Sequence, residues 1–280
     1  MYLLLEKFLG RTGNNIIQLV NCIKIAIHLN CNIIIPNNNL LIKDNNEIII
    51  NKNLKNKNNI IKDIGEGRWF GPNNLNNFFE IDNVVLDNNI KIPDLSHINI
   101  IDVYKILENI FKVKFNKDLI FSEKDLYIHI RSDHIFEAKP PFKWYFTPPL
   151  SYYVNIIKSG NYDNIYIISD NCDNIISREL KKKFDNIILT NNNLLDDIKI
   201  IMHCNHIIYS VGTFPQSFML FNKNLKTFYY PSYNEEFLVT FLTNKEFKNK
   251  CKKIDLEDYK SKMGWGWRCN KYQVNHMLTY

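Results

Sequence analysis

From Lys124 to Phe214 the chain alternates short apolar runs with segments of helical period, and that alternation leaves few folds open. Leu126 to Ile130, Asn164 to Ile168, Asn186 to Leu189 and His206 to Ser210 read as strands. Pro148-Pro149-Leu150 opens a helix through Lys158, since proline suits a first turn; Cys172 to Phe184 and Leu194 to Cys204 form two more, and Gly212-Thr213 turns into another. Strands joined through helices build a parallel sheet, so this stretch is expected to form a Rossmann-like α/β domain.

The first residues carry the same signal. Tyr2 to Leu5 is an apolar run, Gly10 to Asn15 a glycine loop, and Ile16 to Leu29 has helical spacing, with Asn15 as its expected N-cap and Asn30 as its end. Asn32 to Ile35 is a strand stopped by Pro36, which completes a βαβ unit. Residues 37–98 are Asn-rich, with short strand-like runs at Glu47 to Ile50 and Asn83 to Leu86, and Ile101 to Val113 reads as a helix. The expected organisation is an N-terminal α/β domain over 1–121, a nucleotide-binding α/β domain over 122–236, and a helical segment over 237–280 returning to the first domain.

Composition excludes more than it assigns. Asn, Ile and Lys dominate, as expected of an AT-rich viral or bacterial genome, so isolated Asn or Lys residues carry little chemical information. The net charge of +6 comes from scattered lysines; the run Lys181-Lys182-Lys183 reads as a solvated helix face, and nucleic acid is not an expected partner. None of the six cysteines forms a CxxC pair, which argues against a zinc site, and their dispersion in a large chain argues for reduced thiols. With no signal peptide and no apolar run near the ~20 residues that span a bilayer, a cytoplasmic protein without a membrane span is expected.

In an open α/β sheet, ligands bind beyond the C-terminal strand ends. Three loops bring polar residues there: His129 to Arg131, Ser169-Asp170-Asn171, and Ser210 to Phe214. A glycine turn leading into a helix suits phosphate, and Arg131 at the neighbouring strand end could grip a diphosphate by two hydrogen bonds. The residues alone therefore point to a nucleotide-diphosphate binder. Each has a plainer role to set beside that one. Gly10 and Gly13 could simply shape a strand-to-helix turn, and His129 could be a core histidine. Asp197 and Thr213 could be helix caps, while Trp265 and Trp267 read as packing residues.

Three ordered segments resemble the α-1,2/α-1,6-fucosyltransferase superfamily. Gly10 to Gln18 resembles its opening GGLGNQMFQ loop, Tyr127 to Asp133 its HxRRxD motif, and Asp196 to Phe214 its "DL..M..C…NSTFS" segment. His129 to Tyr153 also resembles a branch with the pattern "IRSGDIF…QPPLxxY". The resemblance implies a two-domain, GT-B-like enzyme that uses a GDP-sugar such as GDP-fucose as substrate, inverts the anomeric centre, and needs no metal or other cofactor. In that picture Arg131 binds the β-phosphate, His129 and Asp197 meet the guanine, and Gly212, Thr213, Phe214 and Ser217 hold the diphosphate. Gly10, Gly13, Asn14 and Asn15 would face the sugar, and Arg68 or Trp69 would line the acceptor side.

The departures from the family pattern are specific. Its second arginine is Ser132 here, its Asn-Ser pair is Val211-Gly212, and its aromatic pair is replaced around Gln216-Ser217. Against the second pattern, glycine becomes Asp133 and the acid becomes His134. Asp133, His134 and Glu137 are the candidates for the general base that accepts the acceptor's proton. Two alternatives stay open: a transferase with a UDP- or dTDP-sugar donor, and a degenerate protein that binds nucleotide or glycan without turnover.

Overall fold

The computed structural model describes residues 1–8, 10–36, 42, 46–54, 60–62, 84–85, 91–92, 95, 97–111, 121–136, 145–238, 242, 244–264 and 266–280, with Lys62, Val84, Val85, Lys91, Ile92, Asp133, His134, Glu236 and Phe237 given by backbone position only. The chain divides into two units, Met1–Asn116 and Lys117–Tyr280. Both are α/β, and both sheets are dominated by parallel pairing.

In the first unit, β1 (Tyr2–Leu4) is followed by α1 (Thr12–Leu29), β2 (Asn32–Ile34), β3 (Glu47–Ile48) and β4 (Ile60–Lys62). The sheet order is β3-β2-β1-β4; β1 runs parallel to β2 and β4, and β3 pairs antiparallel with β2. A separate antiparallel pair joins β5 (Val84–Val85) to β6 (Lys91–Ile92), and α2 (Ile100–Ile110) closes the unit's described elements. The helix α1 starts earlier than its spacing predicts. Gly10 adopts φ +75°, in the left-handed region that favours glycine. The chain is thus already turned, and Arg11 rather than Asn15 takes the N-cap position. Gly13, Asn14 and Asn15 therefore lie in the first turn of α1 and not in a loop. Asn30 ends the helix in the left-handed conformation, as expected.

The second unit carries β7 (Asp125–His129), α3 (Leu150–Ser159), β8 (Asn164–Ile168), α4 (Ile175–Lys183), β9 (Ile187–Leu189), α5 (Leu194–His203), β10 (His206–Ile208), α6 (Phe214–Met219) and β11 (Thr227–Pro231). It continues through α7 (Lys245–Lys248), β12 (Cys251–Ile254), α8 (Glu257–Lys262) and α9 (Lys271–Thr279). All six strands run parallel, in the order β12-β11-β10-β7-β8-β9. Counted within the unit that is 6-5-4-1-2-3, the Rossmann order read from its far edge. The chain winds one way from β7 to β9, crosses over through α5, and winds the other way from β10 to β12.

The segment after residue 236 is not helical throughout as expected: it is part of the second unit and supplies a sheet strand. Its β12, Cys-Lys-Lys-Ile, lies at the sheet edge, where lysines are tolerated because one flank faces water. Trp267 is fully buried in the second unit's core with Leu126, Ile128, Tyr153 and Met277. Its Nε1 donates to the carbonyl of Ile135 at 2.6 Å. Packing is thus the role of Trp267; Trp265 lies outside the described residues.

Some of the many asparagines have a clear structural use. Asn99, Asn174, Asn193, Asn244 and Asn270 each cap a helix with a side-chain oxygen. All six cysteines are free thiols. Among the described residues no helix is long and apolar enough to cross a membrane.

Candidate nucleotide site at the sheet switch point

The winding reverses between β7 and β10, and the crevice outside such a reversal is where open α/β sheets bind ligands. The residues leaving β7 are His129 to Ser132, and those leaving β10 are Tyr209 to Thr213. They are hydrogen-bonded together: the Arg131 amide donates to Ser210 Oγ at 3.0 Å, and His129 Nδ1 lies 3.5 Å from the same oxygen.

Gly212 makes the turn after β10 with φ +100°, and a Cβ on it would sit 4.0 Å from Arg131 Cδ. Conformation rather than space therefore calls for glycine here. The carbonyls of the turn are held by side chains: Tyr152 donates to Tyr209 O, Asn234 to Ser210 O and Tyr209 to Gly212 O, each at 2.8 Å. Arg131 runs past this turn with its guanidinium 5.8 Å from the centre of the Tyr145 ring.

The other expected residues take different places. His129 is only 5 % exposed, beneath Ser210 and 6.1 Å from the Phe214 ring. Burial, assisted by the charge of Arg131, pushes its imidazole down to about 3, so it is neutral at physiological pH. Its observed contacts are internal, and it does not line the neighbouring cleft. Thr213 occupies the N-cap position of α6 but makes no side-chain cap. Ser217 is buried in α6, and its hydroxyl donates to Thr213 O at 2.7 Å, a bond within the helix. Asp133 and His134 form a short 3-10 turn with Ile135 and Phe136, directly after Arg131 and Ser132. Arg68, Trp69 and Glu137 lie outside the described residues.

Beside the switch point, a cleft of about 540 Å³ opens beyond β8 and β9. Ser169, Asp170, Cys172, Thr190, Asn192 and Asp197 are among its walls, and its size is that of a small-molecule site. The capping question for Asp197 is resolved here, because α5 begins at Leu194 and Asn193 caps it. Asp197 accepts a hydrogen bond from Asn192 at 3.1 Å. Burial, with the nearby charges of Asp196 and Asp170, pushes its carboxyl up to about 6.

Asp170 and Ser210 did not stand out in the sequence, although both sit in the polar strand-end loops that did. Their importance comes from cross-strand bonds, which require knowing which strands are neighbours. Among the described residues no cluster of three or more His, Cys, Asp or Glu is placed to hold a metal ion. Compared with protein-family models, with curated proteins and with solved structures, the chain matches none.

Proposed function

We propose that this chain is a glycosyltransferase of the fucosyltransferase type, GT-B-like in architecture, that transfers a sugar from a GDP-sugar to a glycan hydroxyl with inversion and without metal. The observation that carries this reading is the meeting of Arg131 and the Gly212 turn at the switch point of a parallel sheet, with the Asp197-lined cleft beside it beyond β8 and β9. Arg131 would neutralise charge on the diphosphate as its bond to the sugar breaks. The acceptor oxygen would attack the anomeric carbon and pass its proton to a base on the turn that follows, Asp133 or His134. The carboxylate of Asp197 would accept N–H groups of the base. Ser132, a neutral residue where the family pattern has a second arginine, favours the rival reading of a nucleotide-binding protein without turnover.

Thermal stabilisation by a panel of nucleotides and sugar nucleotides, with EDTA present, tests the proposal. Selective stabilisation by GDP and GDP-fucose is expected. A shift with only UDP- or dTDP-sugars overturns the donor assignment, and GDP binding without transfer or hydrolysis supports the rival.

Asp197 gives a second test, by pH. Only the ionised carboxylate can accept an N–H at each oxygen with charge assistance, so GDP affinity is expected to fall as pH drops from 7.5 to 5. Its effect on stability has the opposite sign. A carboxyl near 6 in the folded chain and about 4 in the unfolded one binds its proton more tightly when folded, so its contribution to stability rises as pH falls through that window. Asp197→Asn is expected to raise the melting temperature at pH 7.5 while weakening GDP binding. Melting and titration curves across pH check both; an unchanged GDP affinity in Asp197→Asn removes the residue from the site.

A further inference from the structure

We infer that Asp170 is a positioning residue for Arg131, clamping the backbone on which that side chain stands; the inference rests on the diphosphate reading above. Ser132, next to Arg131, is only 1 % exposed. Asp170 Oδ1 accepts both the Ser132 amide, at 3.1 Å, and the Ser132 hydroxyl, at 2.7 Å. Ser132 Oγ accepts the Asn171 amide at 2.9 Å and lies 2.7 Å from Ser169 Oγ. A single carboxylate oxygen therefore ties the chain leaving β7 to the chain leaving β8. On the other flank, the Arg131 amide is tied to Ser210 beyond β10. Arg131 thus stands between two cross-strand ties at the point where the sheet reverses.

The chemistry of the clamp fits this role. Hydrogen bonds to an ionised carboxylate are roughly twice as strong as those between neutral groups. Burial alone would push the Asp170 carboxyl up, but the Ser132 bonds and the charge of Arg131 hold it below the usual carboxylate range. It is therefore a fixed negative charge beside a site proposed to take an anion. Such a charge opposes an anionic ligand while it attracts Arg131, and the benefit inferred for it is to position that side chain. Ser132 also gains a purpose: where a second arginine would compete for the anion, a small hydroxyl completes the clamp.

Two substitutions separate geometry from charge. Asp170→Asn keeps an acceptor oxygen for Ser132 and removes the opposing charge; Asp170→Ala removes both. GDP and inorganic pyrophosphate are titrated calorimetrically, well below the melting temperature of each variant. Asp170→Ala is expected to bind both probes about 10-fold or more weaker than wild type. Asp170→Asn is expected to bind within about 3-fold of wild type, or tighter. Wild-type affinity in Asp170→Ala overturns the inference, and so does an equal loss in both variants. Should Asp170→Ala fail to fold, Ser132→Ala removes the hydroxyl half of the clamp, and an unchanged affinity there overturns it. If wild type binds neither probe, the diphosphate reading falls and the clamp is read from amide hydrogen exchange. Faster exchange at Arg131 and Ser132 in Asp170→Ala, restored in Asp170→Asn, sustains it; unchanged exchange overturns it.

Discussion

Arg131→Ala is expected to weaken GDP binding by roughly 30- to 700-fold, equivalent to about 2–4 kcal/mol for a charge-assisted contact in a shielded site. The reason is that the guanidinium is held before the ligand arrives. Its backbone is tied to Ser210 and its neighbour to Asp170, while its stem passes Gly212 and its head lies by Tyr145. Little ordering remains for binding to supply, so removal of the group is felt almost in full. Arg131→Lys restores the charge but not the planar fork, and is expected to recover only part of the loss. Calorimetric titration with GDP, and transfer assays once an acceptor is known, check both variants. Unchanged affinity in Arg131→Ala would remove the diphosphate from this strand end.

Trp267→Ala is expected to produce the largest loss of stability, about 3–5 kcal/mol, from the cavity left by a fully buried indole. The Ile135 carbonyl also loses its donor, and an orphaned buried acceptor adds to the cost. For a unit of this size the melting temperature should fall by roughly 6–20 °C. The indole stacks edge-on against Phe136 at 6.4 Å, so it anchors the short turn that also carries Asp133 and His134. Transfer should therefore suffer more than GDP affinity, which is proposed to rest on Arg131. A melting temperature within a degree or two of wild type would show that this packing is not the anchor described.

How far the fold was legible depended on which interactions are local. Strands β7, β8, β9 and β10 and the helices between them lie within a few residues of their predicted bounds, because apolar period and capping are written in neighbouring residues. Pro149 and Asn30 mark helix ends for the same reason. Strand order is not local. Nothing in His129 or Ser210 alone says that β7 and β10 are adjacent, yet the site follows from that adjacency. The Asp170–Ser132 clamp was invisible because it joins two such strand ends. Strand β12 was masked by its lysines, which an edge position tolerates. Asp197 was ambiguous between cap and ligand; the capping role falls to Asn193, and Asp197 stands in the cleft wall. At Gly13, Asn14 and Asn15, a family-like loop pattern hid the first turn of a helix.

The place of β7 inside its sheet bears on how the protein is made. Of this sheet's strands β7, β8 and β9 leave the ribosome first, and for a time β7 presents one flank without a partner. The Arg131 amide finds its acceptor only in a serine 79 residues further along, and the Ile135 carbonyl finds its donor only in Trp267. Such distant pairings form slowly, because long loops must close before any contact rewards them. A nascent chain arrested before β10 would carry every residue of the β8–β9 cleft down to Asp197 but no switch point. Any ligand that needs the ends of both β7 and β10 can therefore meet its site only after β10 has joined the sheet.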